Sequence, residues 1–139
     1  MSARATTGYS GTPLAQKLGI KEGTRLLPLN APTDYGEFLG RLPPGAVITR
    51  RGGVTVDIVH LFADRSAELR RHLTALRRQL RPDAEIWVSW PKRTSKVPTD
   101  ITEDVIRDVA LPMGFVDIKV CAVTDVWSGL KLVVRKELR

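Results

Sequence analysis

The chain has 139 residues but only one cysteine, Cys121, and two histidines, His60 and His72. No internal disulfide can form, and no zinc-type cluster of soft ligands can be assembled. Apolar runs are short: none approaches the ~18 residues of a membrane span, and the opening MSARATTGYSG lacks the hydrophobic stretch of a secretory signal. No membrane partner is expected, and the expected compartment is the cytoplasm. Ser89, in W-V-S-W-P, lacks the glycines of a nucleophile elbow, which argues against a hydrolase triad. Acidic residues are also in deficit. Lys and Arg total 22 against 15 Asp and Glu, giving a formal charge of +7, so nucleic acid, acidic proteins and phosphorylated metabolites are all admissible partners.

What is present suits one globular domain. Apolar residues make up 42% and charged residues 27% of a length close to one typical domain. Residues 1–11 are small and polar and read as a leader; residues 12–139 read as the domain. Pro13, the Leu14/Leu18 pair and Gly19 mark a short helix, TRLLPLN a first strand, and Asp34 the cap of a brief helix through Leu42. Pro28 removes a donor and is expected at a bulge or on an unpaired side. The run AVITRRGGVTVDIVHLF holds two β-branched stretches around Gly52 and Gly53, either a reversal or a loop between separate strands. Val54 to Phe62 is apolar enough to be buried on both faces.

Leu69, Leu73, Leu76 and Leu80 then form one stripe of a helix between Asp64 and Leu80, with Arg70, Arg71, Arg77, Arg78 and Arg81 on its other face. EIWVSW is a third strand on which Trp87 and Trp90, three apart, point to opposite faces. Asp100 and Glu103 have capping-box spacing at the start of another helix, stopped by Pro112 and Gly114. Finally FVDIKVCAV and VWSGLKLVV alternate. Val116, Ile118, Val120 and Ala122 should share one face of the first, and Leu130, Leu132 and Val134 one face of the second, with a turn at Thr124 and Asp125 making a hairpin.

This order argues for a three-layer α/β domain, a mostly parallel sheet ending in a C-terminal antiparallel hairpin. From about Thr24 to Arg135 the layout resembles the Rossmann-like methyltransferase fold, whose last two strands form such a hairpin. That family carries a glycine-rich turn after its first strand; here the turn is Asn30, Ala31, Pro32. No acidic residue follows a second strand where a ribose would need it. In addition GYSGTPLAQKLGI, WVSWPK, VPTDITEDVIRDVALPMGFVDIKVCAV and WSGLKLVVRK together resemble the bacterial domain of unknown function 3052. That resemblance implies a small bacterial α/β protein with no assigned activity.

Ligands of open parallel sheets sit beyond strand carboxyl ends, where connections reverse direction. Two loops qualify. The loop Pro91 to Thr99 carries Lys92, Ser95, Lys96 and Thr99 beside Trp90, and runs toward a helix N-terminus favourable to anions. Asn30 and Asp34 would form the adjacent wall. The leading expectation is a non-enzymatic, or enzymatically degenerate, domain that binds a small anion or an acidic partner there. A divergent S-adenosylmethionine-dependent methyltransferase is the alternative. A nucleic-acid-associated protein using Arg70, Arg71, Arg77, Arg78 and Arg81 is the third reading. No catalytic or metal-ligating residue is assigned: His60 reads as a satisfied core residue, Cys121 as an inert thiol, and Asp100, Glu103, Asp104 and Asp108 as capping and solvated charges.

Overall fold

The computed structural model describes residues 12–139, so the leader expected over 1–11 lies outside the described residues. Six strands form one sheet: β1 (Arg25–Leu29), β2 (Val47–Ile48), β3 (Ile58–Phe62), β4 (Glu85–Pro91), β5 (Phe115–Ala122) and β6 (Trp127–Val134). Their order is β2-β1-β3-β4-β6-β5; the first four are parallel, and β6 and β5 run antiparallel as a hairpin. Helices α1 (Leu14–Lys17) and α2 (Tyr35–Leu39) cover one face. Helices α3 (Ser66–Gln79) and α4 (Glu103–Ala110) cover the other. The three-layer α/β architecture with a mostly parallel sheet and a terminal hairpin is therefore present. No helix of the described residues is long and apolar enough to cross a membrane.

The leucine stripe dictates how α3 lies. Leu69, Leu73 and Leu76 are almost wholly buried against the sheet, each burial worth about 2 kcal/mol before ordering costs. The strand β3 is buried along its whole length, as its apolar run requires, but it begins at Ile58 rather than Val54. Val54 is exposed and Val56 is buried within the loop that precedes the strand. The segment around Gly52 and Gly53 is a loop and not a reversal, because β2 and β3 flank β1 on opposite sides. Pro28 tolerates its interior strand for a simple reason. Thr24 and Leu26 accept from Val47 and Thr49, so even-numbered residues of β1 face β2, and β2 has already ended at Ile48 before Pro28 is reached.

Two local expectations are corrected. The register of β5 slips between Asp117 and Lys119, leaving Ile118 as an extra residue. After this bulge Val120 pairs with Leu130 and Ala122 with Ser128, so Val116 no longer shares their face. Thr102, not Asp100, caps α4, accepting from the Val105 amide at 3.2 Å. Asp100 instead accepts from the backbone N–H and hydroxyl of Ser66 at 2.7 and 3.0 Å, so it caps α3 from outside that helix. Those two bonds hold its carboxyl below the usual carboxylate range.

Gly114 turns the chain from α4 into β5 at φ +99, and a Cβ there would sit 2.8 Å from Leu138 Cδ1. Gly114→Ala is therefore expected to cost about 1–2 kcal/mol, read as a lower thermal midpoint with an unchanged circular dichroism spectrum.

Candidate functional site

Connections run from β1 outward to β2, then back across β1 to β3. The direction of progress reverses between β1 and β3, so the crevice outside their carboxyl ends is the place where this architecture receives a ligand. At that point Asn30 adopts a left-handed backbone, φ 57, a conformation most residues avoid and glycine or asparagine accepts. Its side-chain amide donates to the Phe62 carbonyl at 3.4 Å and lies 3.2 Å from His72 Nε2. Because the amide nitrogen is the donor, His72 accepts with a neutral ring. Burial, then the charge of Arg71, holds the His72 pKa below its ordinary value, which keeps that lone pair available. Asp34, which precedes α2, and Asp64, just beyond β3, are exposed acids without an ion pair among the described residues.

Beneath the crevice lies a polar chain that no local spacing discloses. Tyr35, the first residue of α2, places its hydroxyl 2.9 Å from His60 Nδ1, and His60 Nε2 is 2.7 Å from Ser89 Oγ. His60 and Ser89 are fully buried and Tyr35 nearly so. A neutral imidazole has one N–H and one lone pair, so one of the two hydroxyls donates to the ring and the other accepts from it. Burial drives the His60 pKa down to about 3 and pushes that of Tyr35 up, keeping both uncharged. Phe62 stacks on His60 at 4.3 Å, and the Tyr35 ring meets Phe38 and Phe62 edge-on. The relay thus ties the segment leaving the crevice to β3 and β4, and His60 is the satisfied core residue expected.

The loop after β4 brings together only part of the residue set expected of it. A cleft of about 760 Å³ adjoins that loop, lined by Trp90, Lys96, Thr99 and Arg107 among others, while Lys92, Ser95, Asn30 and Asp34 are absent from its lining. The β1 corner and the β4 loop lie on the same edge of the sheet with the end of β3 between them, Asn30 reaching Phe62 and Thr99 reaching Asp64. The hydroxyls meant for an anion are engaged within the chain: Ser95 donates to the Lys92 carbonyl at 2.6 Å and Thr99 to the Asp64 carbonyl at 2.7 Å. Arg107, facing the cleft, is neutralised by Glu103, Asp104 and Asp117 at 2.9 to 3.1 Å. Trp90 is 7% exposed and serves as core on the α4 face, with Trp87 on the opposite face.

The arginine face of α3 divides. Arg77 donates to the Met113 carbonyl, and Arg81 binds Asp57, Asp83 and the carbonyls of Val54 and Val56, so both are structural. Arg70, Arg71 and Arg78 point to solvent.

No protein-family model matches the chain, and no curated protein matches it. Solved structures do. A SAM dependent methyltransferase from Aquifex aeolicus is similar over 96% of this chain and 94% of its own, with a TM-score of 0.61 at 14% identity. The B. subtilis M1A22 tRNA methyltransferase TrmK is similar over 88% of this chain and 65% of its own (TM-score 0.56, 11% identity). Fibrillarin of Aeropyrum pernix, solved with natively bound S-adenosyl-L-methionine, is similar over 86% and 73% (TM-score 0.55, 14% identity). At such identities the likeness establishes the fold. It also corrects the leading functional expectation: several similar structures are described as methyltransferases, which favours the alternative reading over a non-enzymatic anion or acidic-partner site on the Pro91 to Thr99 loop.

Proposed function

We propose that the chain is a divergent S-adenosylmethionine-dependent methyltransferase whose donor crevice lies at the carboxyl ends of β1 and β3. The observation that carries this reading is the left-handed Asn30 at the point where strand order reverses. It makes, with an asparagine, the sharp turn that a glycine makes in nucleotide-binding α/β sheets. The bound donor would supply an electrophilic methyl group on a sulfonium. On the protein side, Asp34 and Asp64 offer carboxylates to a cationic ligand, Asn30 offers its amide, and His72 fixes the orientation of that amide. The segment after β2 departs from the usual pattern. Thr49, Arg50 and Arg51 stand there in place of an acid, so a ribose has to be held from the β1 and β3 walls.

RNA is the acceptor class this reading takes, since one similar structure is described as a tRNA methyltransferase and another as a pre-rRNA processing fibrillarin, and since the chain carries +7. Isothermal titration with S-adenosylmethionine and with S-adenosylhomocysteine tests donor binding. Saturable heat is expected for both, and Asp64→Asn should weaken the methyl donor about tenfold, as loss of a charge-assisted contact does. Absence of heat with either ligand at 1 mM would end the proposal.

A further inference from the structure

We infer that the outer side of α3, joined by the loop after β2, is a docking track for the backbone of an RNA. The inference rests on the methyl-transfer reading for its choice of RNA, and on the structure for its place. Along α3, positions 70, 71 and 78 fall within a 100° arc opposite the buried leucines, at about 100° per residue. Arg70, Arg71 and Arg78 there are exposed. Arg70 and Arg78 have no ion pair among the described residues, and Arg71 has only a loose 3.9 Å contact with Glu68. The loop adds Arg50 and Arg51, also exposed and without ion pairs among the described residues.

The two groups are contiguous. A Cβ on Gly52 would lie 3.3 Å from Gln79 Oε1, which sets the residue after Arg51 against the residue after Arg78. Arg81 pins the two segments together by donating to the Val54 and Val56 carbonyls. The residues between the arginines on the outward arc, Ala67 and Thr74, are small, and Thr74 turns its hydroxyl back to the Arg70 carbonyl. The helix side of the face therefore offers charge and no large apolar side chain, which matches a phosphate backbone, while Val54 on the loop is the exposed apolar residue beside it. The helix spans 14 residues, about 21 Å, and starts at the crevice beside Arg65. A strand laid along it would be led to the proposed methyl-transfer crevice.

The test is fluorescence anisotropy of a labelled 20-nucleotide single-stranded RNA with the full chain, without donor, from 50 to 200 mM salt. Five phosphate contacts on a single strand predict a slope of log K against log salt of about −3.5. The triple variant Arg70→Gln, Arg71→Gln, Arg78→Gln should bind at least 30-fold more weakly, with the slope reduced by about 2. Lys136→Gln, near the C-terminus, should bind as the parent does. Unchanged thermal midpoints establish that the variants are folded. Undiminished binding by the triple variant, a slope shallower than −1, or polyglutamate displacing RNA at equal charge would each overturn the inference. Failure here leaves the calorimetric result with the methyl donor standing, and RNA binding without donor binding would remove methyl transfer alone.

Discussion

Lowering the pH from 6.5 toward 3 is expected to remove roughly 5 kcal/mol of stability through His60 alone, at about 1.4 kcal/mol per pH unit. In the native protein the ring is enclosed between Tyr35 and Ser89 and takes up a proton only near pH 3. In the unfolded chain it does so near 6.5. Above pH 6.5 both states are neutral and this contribution is fully present. As the pH falls through 6.5 the unfolded state binds a proton that the folded state refuses, so stability declines until about pH 3 and no further. His72 acts in the same direction and is also held below its ordinary value, but it is half-exposed and its effect is smaller. Asp57 and Asp100, both held low, add their losses only where carboxylates begin to protonate. Urea midpoints collected between pH 7 and 5 therefore isolate the histidines. His60→Gln should flatten most of the slope, while costing about 1–3 kcal/mol at pH 7 by disturbing the two hydroxyls. A parent profile that is level over that interval would contradict a neutral, enclosed His60.

The second large effect belongs to Trp87. Its ring is fully buried on the α1/α2 face, and its Nε1–H donates to the Leu18 carbonyl at 3.0 Å, fastening α1 to the middle of the sheet. Trp87→Ala is expected to cost about 3–5 kcal/mol, which is a large part of the 5–15 kcal/mol that holds an ordinary domain folded. Trp87→Phe retains most of the apolar contact and strands the Leu18 carbonyl, so about 1–2 kcal/mol is expected. Guanidinium unfolding of the three proteins gives the ladder directly, and an alanine variant within 1 kcal/mol of the parent would show that α1 is not held through this ring.

Elements governed by one period were legible in the sequence. The leucines of α3, the apolar run of β3 and the opposed tryptophans of β4 each follow from spacing alone, and the layering followed from their order. What escaped had non-local causes. Ile118 is expelled from the ladder by how β5 meets β6, and alternation within β5 contains no sign of it. Asp100 stands at capping distance from Glu103, yet α3, 34 residues earlier, offers it the better donors in Ser66. Arg77 and Arg81 share a helical face with Arg78, but carbonyls of the α4–β5 turn and the β2–β3 loop capture them. The membership of the cleft at the β4 loop was hidden for the same reason: Trp90, Lys96 and Thr99 line it while Lys92, Ser95, Asn30 and Asp34 do not, and spacing along the chain contains no sign of that division. The Tyr35, His60 and Ser89 relay draws its members from positions 25 and 29 residues apart, and the only sequence trace of it was a histidine inside an apolar strand.

The slip at Ile118 has one more consequence. β5 is a margin of the sheet, with Ile118 and Val120 half exposed along it, and such a strip is a template on which other copies can polymerise into fibres. The inserted residue breaks the even spacing of free backbone groups, and Lys119 places a charge at the break. An interrupted and charged margin of this kind is a poorer template for a further strand than an even one.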